Sequence, residues 1–283
     1  MSELPNNAQL LSIAEEAALA AGAQIRMMFN EPRTISSKGF RDVVTDADLK
    51  AQEIITGIIM DAFPDHGFLP EEDNEELPTE GPILWIIDPV DGTVNYSRGL
   101  PIFCVSIAAV RNEPPLTVDD VLAAAVYDPM QDEMFTATAG GPCLLEGGGL
   151  HGRLLQTSAV DDLIDALIGI DWPLNADLRQ EALDLIANLG HQIYVFGSLG
   201  SATLAIAWVA AGRLDGYANV QLMPWDVAAA GLLVKQAGGV VSAMIASALK
   251  TGIIDASTLT DRDGLVPIPR LTTDPDDVSK YAT

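Results

Sequence analysis

Residues 83–95 read I-L-W-I-I-D-P-V-D-G-T-V-N, and this stretch decides the fold. Its apolar first half is typical of a buried strand, which ends at Asp88 because the following proline imposes a turn. Asp91 comes three residues later, and Gly92 and Thr93 then offer backbone N–H groups. Two carboxylates at a strand end suit a hard cation such as Mg²⁺, and the adjacent N–H groups suit a phosphate oxygen. The same letters also describe an ordinary Asp-rich turn, so this stretch alone leaves both interpretations open.

The chain on either side of this stretch alternates between helical and extended patterns. In the first half we expect helices over 8–29 and about 48–63, a loop or hairpin over 34–45, and strands at 83–88, 103–110, 123–127 and 133–138. In the second half we expect strands at 166–172, 193–196 and 216–220, and helices over 176–189, 201–211 and 225–237. Such alternation is typical of a layered α/β fold. We therefore predict two packed subdomains, α+β over 1–140 and α/β over 141–283.

The composition excludes several classes of protein. The chain has 283 residues, and 40 Asp and Glu against 15 Lys and Arg give a net charge of −25. An apolar content of 48% and a mean hydropathy of +0.23 exclude a disordered acidic chain. A surface this acidic gains no counterion release from phosphates, so a nucleic-acid polymer is not the expected partner. Such an acidic surface favours solubility, above all at high salt.

The cysteines, histidines and apolar runs point to an intracellular protein. Cys104 and Cys143 form no C-x-x-C pair, and we expect reduced thiols, with Cys104 buried. The histidines are scattered without ligand spacing, which weakens a zinc or Ser-His-Asp site. No apolar run approaches the ~18 residues that span a bilayer, and the polar, acidic first residues do not resemble a secretory signal. We therefore expect a cytoplasmic protein with no membrane partner.

Further carboxylates stand at turns or element ends beside apolar sequence, where rigid supports can hold a metal ion. They are Asp42 and Asp48 in D-V-V-T-D-A-D, Glu71 and Glu72 in L-P-E-E-D, and Asp226 in P-W-D-V-A-A-A-G. Together with residues 83–95, these blocks favour one shared acidic site over a set of unrelated turns.

These blocks resemble the inositol monophosphatase family in residues, order and spacing. The matching motifs are D-x-V-T-x-x-D (42–48), the E-E pair (71–72), W-I-I-D-P-V-D-G-T-x-N (85–95) and P-W-D-x-A-A-x-G with Q-A-G-G (224–239). The resemblance covers roughly residues 8–240 and implies a layered αβαβα sandwich with Mg²⁺-dependent, lithium-sensitive phosphomonoesterase activity. It also implies a homodimer that acts on a small phosphorylated metabolite.

The resemblance further implies a set of metal ligands. Glu71, Asp88 and the Val90 carbonyl would hold a first Mg²⁺, and Asp88, Asp91 and Asp226 would hold a second. A third, weaker ion would bind near Glu71. The expected cofactor is therefore two or three Mg²⁺ ions per site.

The expected catalytic and substrate-binding residues come from the same resemblance. Gly92 and Thr93 would bind the phosphate through backbone N–H groups. Thr93, hydrogen-bonded to Asp42, would act with Glu71 to orient a metal-activated water for in-line attack on phosphorus. The remaining substrate-binding residues would be Gly200, Ser201, Ala202 and Asn219.

Three positions depart from the family pattern. Pro70 stands where a glycine usually precedes the Glu pair, and Gly197 stands where many members have an arginine. Asn219 stands where inositol-preferring members carry a glutamate. Inositol 1-phosphate is the leading substrate, but histidinol phosphate, fructose 1,6-bisphosphate and 3′-phosphoadenosine phosphates stay open, as does a non-catalytic metal-binding homologue. The segment after Gly239 lacks the familiar ending and is interpreted as a surface tail.

Two rival motifs are weaker. G-G-G-L-H-G at 147–152 has the spacing of a dinucleotide-binding loop but lies between short extended runs, which favours a hairpin. Asp46 and Asp48 form a D-x-D, as in haloacid dehalogenase phosphatases, yet two strongly apolar residues before it make a poor supporting strand.

Overall fold

A computed structural model of the chain describes residues 4–242 except 33, 40, 41, 74, 75 and 115. The helices are α1 (Asn7–Met28), α2 (Asp46–Ala62), α3 (Thr93–Arg98), α4 (Arg179–Leu189), α5 (Ala202–Ala210) and α6 (Pro224–Gln236). The strands are β1 (Ile35–Gly39), β2 (Asp42–Thr45), β3 (Gly67–Pro70), β4 (Ile83–Asp91), β5 (Cys104–Arg111), β6 (Val121–Asp128), β7 (Glu133–Thr138), β8 (Cys143–Gly147), β9 (Leu150–Leu154), β10 (Leu167–Ile170), β11 (Val195–Gly197) and β12 (Gly216–Ala218). The predicted helices and strands are confirmed with shifts at their ends, whereas β3 and α3 were not predicted. The prediction that the central strand ends at Asp88 is wrong, because β4 continues past Pro89 to Asp91. The interpretation of a surface tail falls, from residue 243 on, outside the described residues.

The larger sheet has seven strands in the order β3-β4-β5-β6-β7-β8-β9; the β3–β4 pair is parallel and the others are antiparallel. All nine residues of β4 are buried, because helices cover both faces of the sheet. Leu84 and Ile86 join one apolar cluster, while Ile83, Trp85 and Ile87 join the other. The continuous apolar run that predicted this strand therefore reflects burial on both sides.

Helices α1 and α2 cover one face of this sheet with many small side chains. The buried face of α1 carries Ala14, Ala17, Ala18 and Ala21, which let the helix approach the strands closely. A Cβ on Gly22 would lie 2.3 Å from the ring of Tyr127 in β6, so a larger residue at this position has no room. In the described part of the chain, we find no helix with both the length and the apolar character to cross a membrane.

Helices α5 and α6 cover the other face, and a smaller sheet lies beside them. This sheet has three parallel strands in the order β11-β10-β12 and contacts α5 through β12. Because the strands are parallel, their carboxyl ends meet at one edge. The helix and sheet layers confirm the predicted layered α/β sandwich. Cys104 and Cys143 are buried free thiols, as expected.

The subdomain boundary predicted at residue 140 falls inside the seven-stranded sheet. Strands β8 and β9 follow that residue and complete the sheet, so the first part extends to Leu154. The glycine-rich stretch at 147–152 forms the turn of the β8–β9 hairpin, which confirms the hairpin interpretation. The second half also packs directly on this sheet, since Arg213 makes two 2.6 Å hydrogen bonds to the carboxylate of Glu133 in β7.

Candidate active site

Three carboxylates meet where β4 ends and α6 begins. Oxygens of Asp88, Asp91 and Asp226 lie within 4.8 Å of one another. Residues three apart on a regular strand point to opposite faces, but the β4–β5 register shifts between Asp88 and Asp91, and this irregularity brings both to one side. Asp226 is the third residue of α6, and its Oδ2 accepts the N–H of Met223 at 2.6 Å, which fixes the carboxylate at the helix start.

These carboxylates repel one another in a buried setting. Burial raises the pKa of Asp88 well above its usual range, and Glu71, Asp91 and Asp226 raise it further, Glu71 also by a hydrogen bond. Burial raises the pKa of Asp91 to about 6, although the Ser201 hydroxyl opposes the shift. None of the ion pairs in the described residues reaches the three aspartates. Carboxylates ~4 Å apart repel by about 4 kcal/mol per pair at an effective dielectric near 20, so this all-oxygen set fits a divalent cation.

Glu71 brings a fourth carboxylate to the site from the end of β3. Its N–H donates to the Ile87 carbonyl at 2.9 Å. The Gln52 side chain holds the next residue from both sides, donating to the Glu72 carbonyl at 2.8 Å and accepting the Glu72 N–H at 3.1 Å. Pro70 ends an edge strand, where its missing N–H is tolerated. The departure at Pro70 therefore leaves the Glu pair anchored. We call Glu71, Asp88, Asp91 and Asp226 the acidic cluster.

The turn after β4 leads directly into the short helix α3. Gly92 has a φ of +96°, and a Cβ there would lie 2.9 Å from the Ile102 carbonyl oxygen, so the position requires glycine. Thr93 is the first residue of α3, and the first N–H groups of a helix have no partner within it. The Val90 carbonyl accepts the Thr93 hydroxyl at 3.0 Å, and the Val90 N–H donates to Asp88 Oδ1 at 3.0 Å. This turn therefore places N–H donors next to carboxylates.

The Thr93 hydroxyl has a partner that the sequence did not predict. This hydroxyl lies 3.0 Å from Oδ1 of Asp48, whereas the side chain of Asp42 lies outside the described part of the structure. Asp48 is buried and forms a capping box with Thr45, whose N–H donates to Asp48 Oδ2 at 2.9 Å. The box fixes one carboxylate oxygen at the start of α2 and leaves the other for Thr93. The T-x-x-D spacing is the sequence signal that identifies Asp48.

Two of the predicted substrate-binding residues, Ser201 and Ala202, hydrogen-bond to a carboxylate of the acidic cluster. The Ser201 hydroxyl donates to Asp91, and the N–H groups of Ala202 and Thr203 donate to the same carboxylate at 3.2 and 3.0 Å. Asp91 therefore caps the N-terminus of α5 from a distant part of the chain.

The other two predicted substrate-binding residues belong to a polar group at the carboxyl edge of the small sheet. The Gly200 N–H donates to Asp171 Oδ1 at 2.8 Å, and the Tyr217 hydroxyl donates to Asp171 Oδ2 at 3.1 Å. Asn219 Nδ2 donates to the Tyr217 hydroxyl at 3.0 Å. Asp171 was not identified from the sequence, because its partners lie 27 to 46 residues away and no local pattern links them.

Comparison with known proteins agrees with this geometry. The model of the inositol monophosphatase family matches residues 6–269. The chain belongs to the inositol monophosphatase family. As a family member it is a phosphomonoesterase, which confirms the predicted class of enzyme.

Individual relatives support the same assignment. The chain is 40% identical over 238 residues to the Escherichia coli protein named Nus factor SuhB, covering 82% of this chain and 84% of the relative. It is 37% identical over 238 residues to the inositol-1-monophosphatase of Mesorhizobium japonicum, covering 83% and 85%. The crystal structure of the extragenic suppressor protein suhB from Bartonella henselae has a TM-score of 0.74 at 33% identity, covering 81% of this chain and 85% of that one.

Proposed function

We propose that this inositol monophosphatase family member hydrolyses a small phosphorylated polyol or sugar with the help of two or three Mg²⁺ ions. The observation that carries the proposal is the acidic cluster, in which β3, β4 and α6 bring carboxylates together beside the N–H groups at the start of α3. A phosphate cannot approach four carboxylates unless cations reverse the local charge. Inositol 1-phosphate is the leading substrate.

The acidic cluster would hold the metal ions. Glu71, Asp88 and the Val90 carbonyl would bind a first Mg²⁺, and Asp88, Asp91 and Asp226 a second, with a third near Glu71. Their oxygen-only chemistry suits Mg²⁺. When bound, the ions supply positive charge that activates a water molecule and stabilises the leaving oxygen.

The protein's own residues orient the reactants. The N–H groups of Gly92 and Thr93 bind a phosphate oxygen, as helix starts commonly do. When the Thr93 hydroxyl donates its hydrogen bond to Asp48 rather than to the Val90 carbonyl, its oxygen lone pairs can accept a hydrogen bond from the attacking water. Glu71 would accept the hydrogen bond from the other O–H of that water and take this one proton as the oxygen attacks phosphorus, so the two residues together orient the water.

Specificity depends on Asn219. This residue is uncharged, its Nδ2 is bound to Tyr217, and its Oδ1 accepts the N–H of Gln221 at 3.0 Å. A polyol therefore meets an amide that the protein already uses, rather than a free carboxylate. An amide in this arrangement is compatible with a polyol or sugar phosphate but does not select inositol. Histidinol phosphate, fructose 1,6-bisphosphate and 3′-phosphoadenosine phosphates therefore belong in the same test.

A phosphate-release assay over these esters, with Mg²⁺ and with Li⁺ as competitor, tests the proposal. We expect turnover that depends on Mg²⁺, is inhibited by Li⁺, and is greatest for a polyol phosphate. Asn219→Glu should raise the preference for inositol 1-phosphate, because a carboxylate accepts hydrogen bonds from ring hydroxyls. No turnover on any ester would favour a non-catalytic metal-binding homologue, and an unchanged preference in Asn219→Glu would refute the role of that residue.

We also propose a cytoplasmic homodimer that binds no nucleic-acid polymer. One relative carries the name Nus factor, but a net charge of −25 gives this chain little attraction to a phosphate backbone. Light scattering after size exclusion tests the dimer: a monomer mass at micromolar concentration would refute it. A gel-shift titration at low salt tests the second statement, and we expect no shifted complex.

A further inference from the structure

The carboxyl edge of the small sheet gathers polar residues next to the acidic cluster. Asp171 directly follows β10, the central strand, while Ser198 follows β11 and Asn219 follows β12. The strands are parallel, so the three residues meet at one edge. Tyr217 of β12 joins them through its hydroxyl. We call Asp171, Ser198, Tyr217 and Asn219 the edge cluster.

One carboxylate organises the edge cluster. Asp171 Oδ1 accepts the Ser198 hydroxyl at 2.6 Å and the Gly200 N–H at 2.8 Å, and its Oδ2 accepts the Tyr217 hydroxyl at 3.1 Å. Burial and the neighbouring carboxylate raise the pKa of Tyr217, so its hydroxyl keeps the proton that it donates. All three donors are neutral, and each of the two oxygens serves a different part of the site.

The oxygen Oδ1 fixes one peptide group in the loop before α5. The Leu199–Gly200 peptide is held at both polar ends, because Asn95 Nδ2 donates to the Leu199 carbonyl at 2.7 Å while Asp171 accepts the Gly200 N–H. Gly200 has a φ of +69°, and a Cβ there would lie 2.9 Å from the Asn95 amide. One half of the chain therefore holds the carbonyl of this peptide and the other half holds its N–H.

The residues that follow this peptide contact two members of the acidic cluster. Ser201 donates its hydroxyl, and Ala202 its N–H, to the Asp91 carboxylate. The Thr203 hydroxyl donates to the backbone carbonyl of Asp226 at 3.1 Å. A shift of the loop would therefore move the groups that donate to the Asp91 carboxylate, and also the hydroxyl that donates to the backbone carbonyl of Asp226.

We propose that Asp171 is a positioning residue for the metal site, acting through the Leu199–Gly200 peptide on Asp91 and Asp226. Its other oxygen, through Tyr217, positions Asn219 on the side of the site that faces the substrate. We call the route through the Leu199–Gly200 peptide the loop arm and the route through Tyr217 the second arm. The loop arm concerns metal binding alone, whereas the second arm rests on the proposed function. One side chain thus connects two sets of residues that share no direct hydrogen bond in the described structure.

Two substitutions at Asp171 separate the hydrogen bonds from the charge. Asp171→Asn and Asp171→Ala both remove the negative charge, but asparagine keeps an acceptor for Ser198 and Gly200 and turns an N–H group toward Tyr217. Alanine removes every acceptor. Tyr217→Phe removes the second arm alone. Asp177→Asn is the matched control. Asp177 is exposed and lies six residues from Asp171, and its replacement removes the same charge.

Calorimetric titration of chelator-treated full-length protein with Mg²⁺ alone tests the loop arm without any substrate. We expect Asp171→Ala to raise the Mg²⁺ dissociation constant by about tenfold, within the range for residues that hold metal ligands in place. Asp171→Asn should raise it by less than about threefold, and Tyr217→Phe and Asp177→Asn should leave it unchanged. For the preferred phosphomonoester, Tyr217→Phe should raise KM by about fivefold, the worth of one hydrogen bond, with a smaller change in kcat.

Wild-type Mg²⁺ affinity in a folded Asp171→Ala would overturn the proposal. Equal weakening in Asp171→Asn and Asp171→Ala would also overturn it, because charge rather than the loop would then be responsible. If Asp171→Ala does not fold, hydrogen exchange of the Ser201–Thr203 amides in Asp171→Asn tests the loop arm. These amides should stay as protected as in wild type, because asparagine keeps the acceptor for the Gly200 N–H, and lost protection would overturn the proposal. Should the wild-type protein release no phosphate from any ester, the proposed substrate class fails while the Mg²⁺ titration still decides the loop arm.

Discussion

The acidic cluster and the edge cluster lie side by side and both contain carboxylate charge, but this charge is compensated differently in each. In the acidic cluster, buried carboxylates raise one another's pKa and need a cation. In the edge cluster, one carboxylate is surrounded by three neutral donors and is satisfied within the protein. The comparison teaches that the two clusters stabilise their carboxylates by different means, one by a cation and the other by protein donors, and that Asp171 is the side chain through which a change in the edge cluster would reach the acidic cluster.

The largest difference is expected from changing one charge in each cluster, by removing a carboxylate from the acidic cluster and adding one to the edge cluster. Asp88→Asn should lower phosphomonoester turnover by at least about a hundredfold, because Asp88 interacts with the other three carboxylates of the acidic cluster. Removing a metal ligand itself should cost more activity than removing a residue that only holds a ligand in place. Asn219→Asp, which alters the edge cluster, should change the order of preferred esters with a far smaller loss of rate. Steady-state kinetics at saturating Mg²⁺ measure both, and an Asp88→Asn enzyme as fast as wild type would contradict the metal assignment.

Chelation should reveal which cluster depends on a cation. EDTA should lower the melting temperature by roughly 5 °C relative to protein in excess Mg²⁺, because ligand binding at a hundredfold excess over Kd stabilises the fold by about 2.7 kcal/mol. Tyr217→Phe should keep this shift, whereas Asp226→Asn should lose most of it. A melting temperature that ignores chelation in the wild-type protein would contradict the site.

Two glycines, one beside each cluster, sharpen the comparison on the scale of folding stability. Gly92→Ala should destabilise by about 3 kcal/mol, because it combines a left-handed φ with a contact at 2.9 Å from the Ile102 backbone. Gly200→Ala should cost less, since its neighbour is the Asn95 side chain, which can rotate at the expense of its bond to Leu199. Gly140→Ala is the control: its φ is +74°, but a Cβ there meets no described atom within 4 Å. Urea unfolding in Mg²⁺ should rank the three variants in this order, and equal losses would show that backbone strain alone decides.

The smallest effect is expected away from both clusters, at a buried ring pair beneath β4. Trp85 Nε1 donates to His66 Nδ1 at 3.0 Å, and burial lowers the pKa of His66 although Asp65 opposes this. The folded protein therefore favours neutral histidine, so its stability is complete above the unfolded pKa near 6.5 and is lost as the pH falls through the lower folded value. His66→Asn keeps an acceptor for Trp85 and cannot titrate.

Melting curves at about pH 7.5 and about pH 5.5 in excess Mg²⁺ measure this effect. The loss on acidification should be smaller in His66→Asn by about 1 kcal/mol, the worth of one hydrogen bond. Identical losses in the two proteins would show that His66 does not titrate in this range.

The sequence predicted what depends on local pattern and missed what depends on distant contacts. β4 and the helices were found because burial on two faces, or on one stripe, leaves a visible periodicity. The boundary predicted at residue 140 follows the local change of pattern, whereas the seven-stranded sheet continues through β9 by strand pairing that no local pattern shows. The motif contains both Asp42 and Asp48, and the contact of Asp48 with Thr93 became visible only from the capping geometry; the role of Asp42 stays a prediction. Asp171 lies far beyond any local pattern, since its role arises when three parallel strands end together.

The two helices that begin at the acidic cluster have an electrostatic consequence. Asp91 caps α5, and Asp226 lies in the first turn of α6, so both helix dipoles point their positive ends at the aspartates. Each end is equivalent to about half a positive charge, which leaves about two uncompensated negative charges on the three aspartates. One divalent cation would balance this remaining charge, and the charges of Glu71 and of a bound phosphate would require the further ions of the proposed site. The fold therefore carries part of its own counter-charge at the acidic cluster, which reduces the repulsion among the aspartates when no ion is bound.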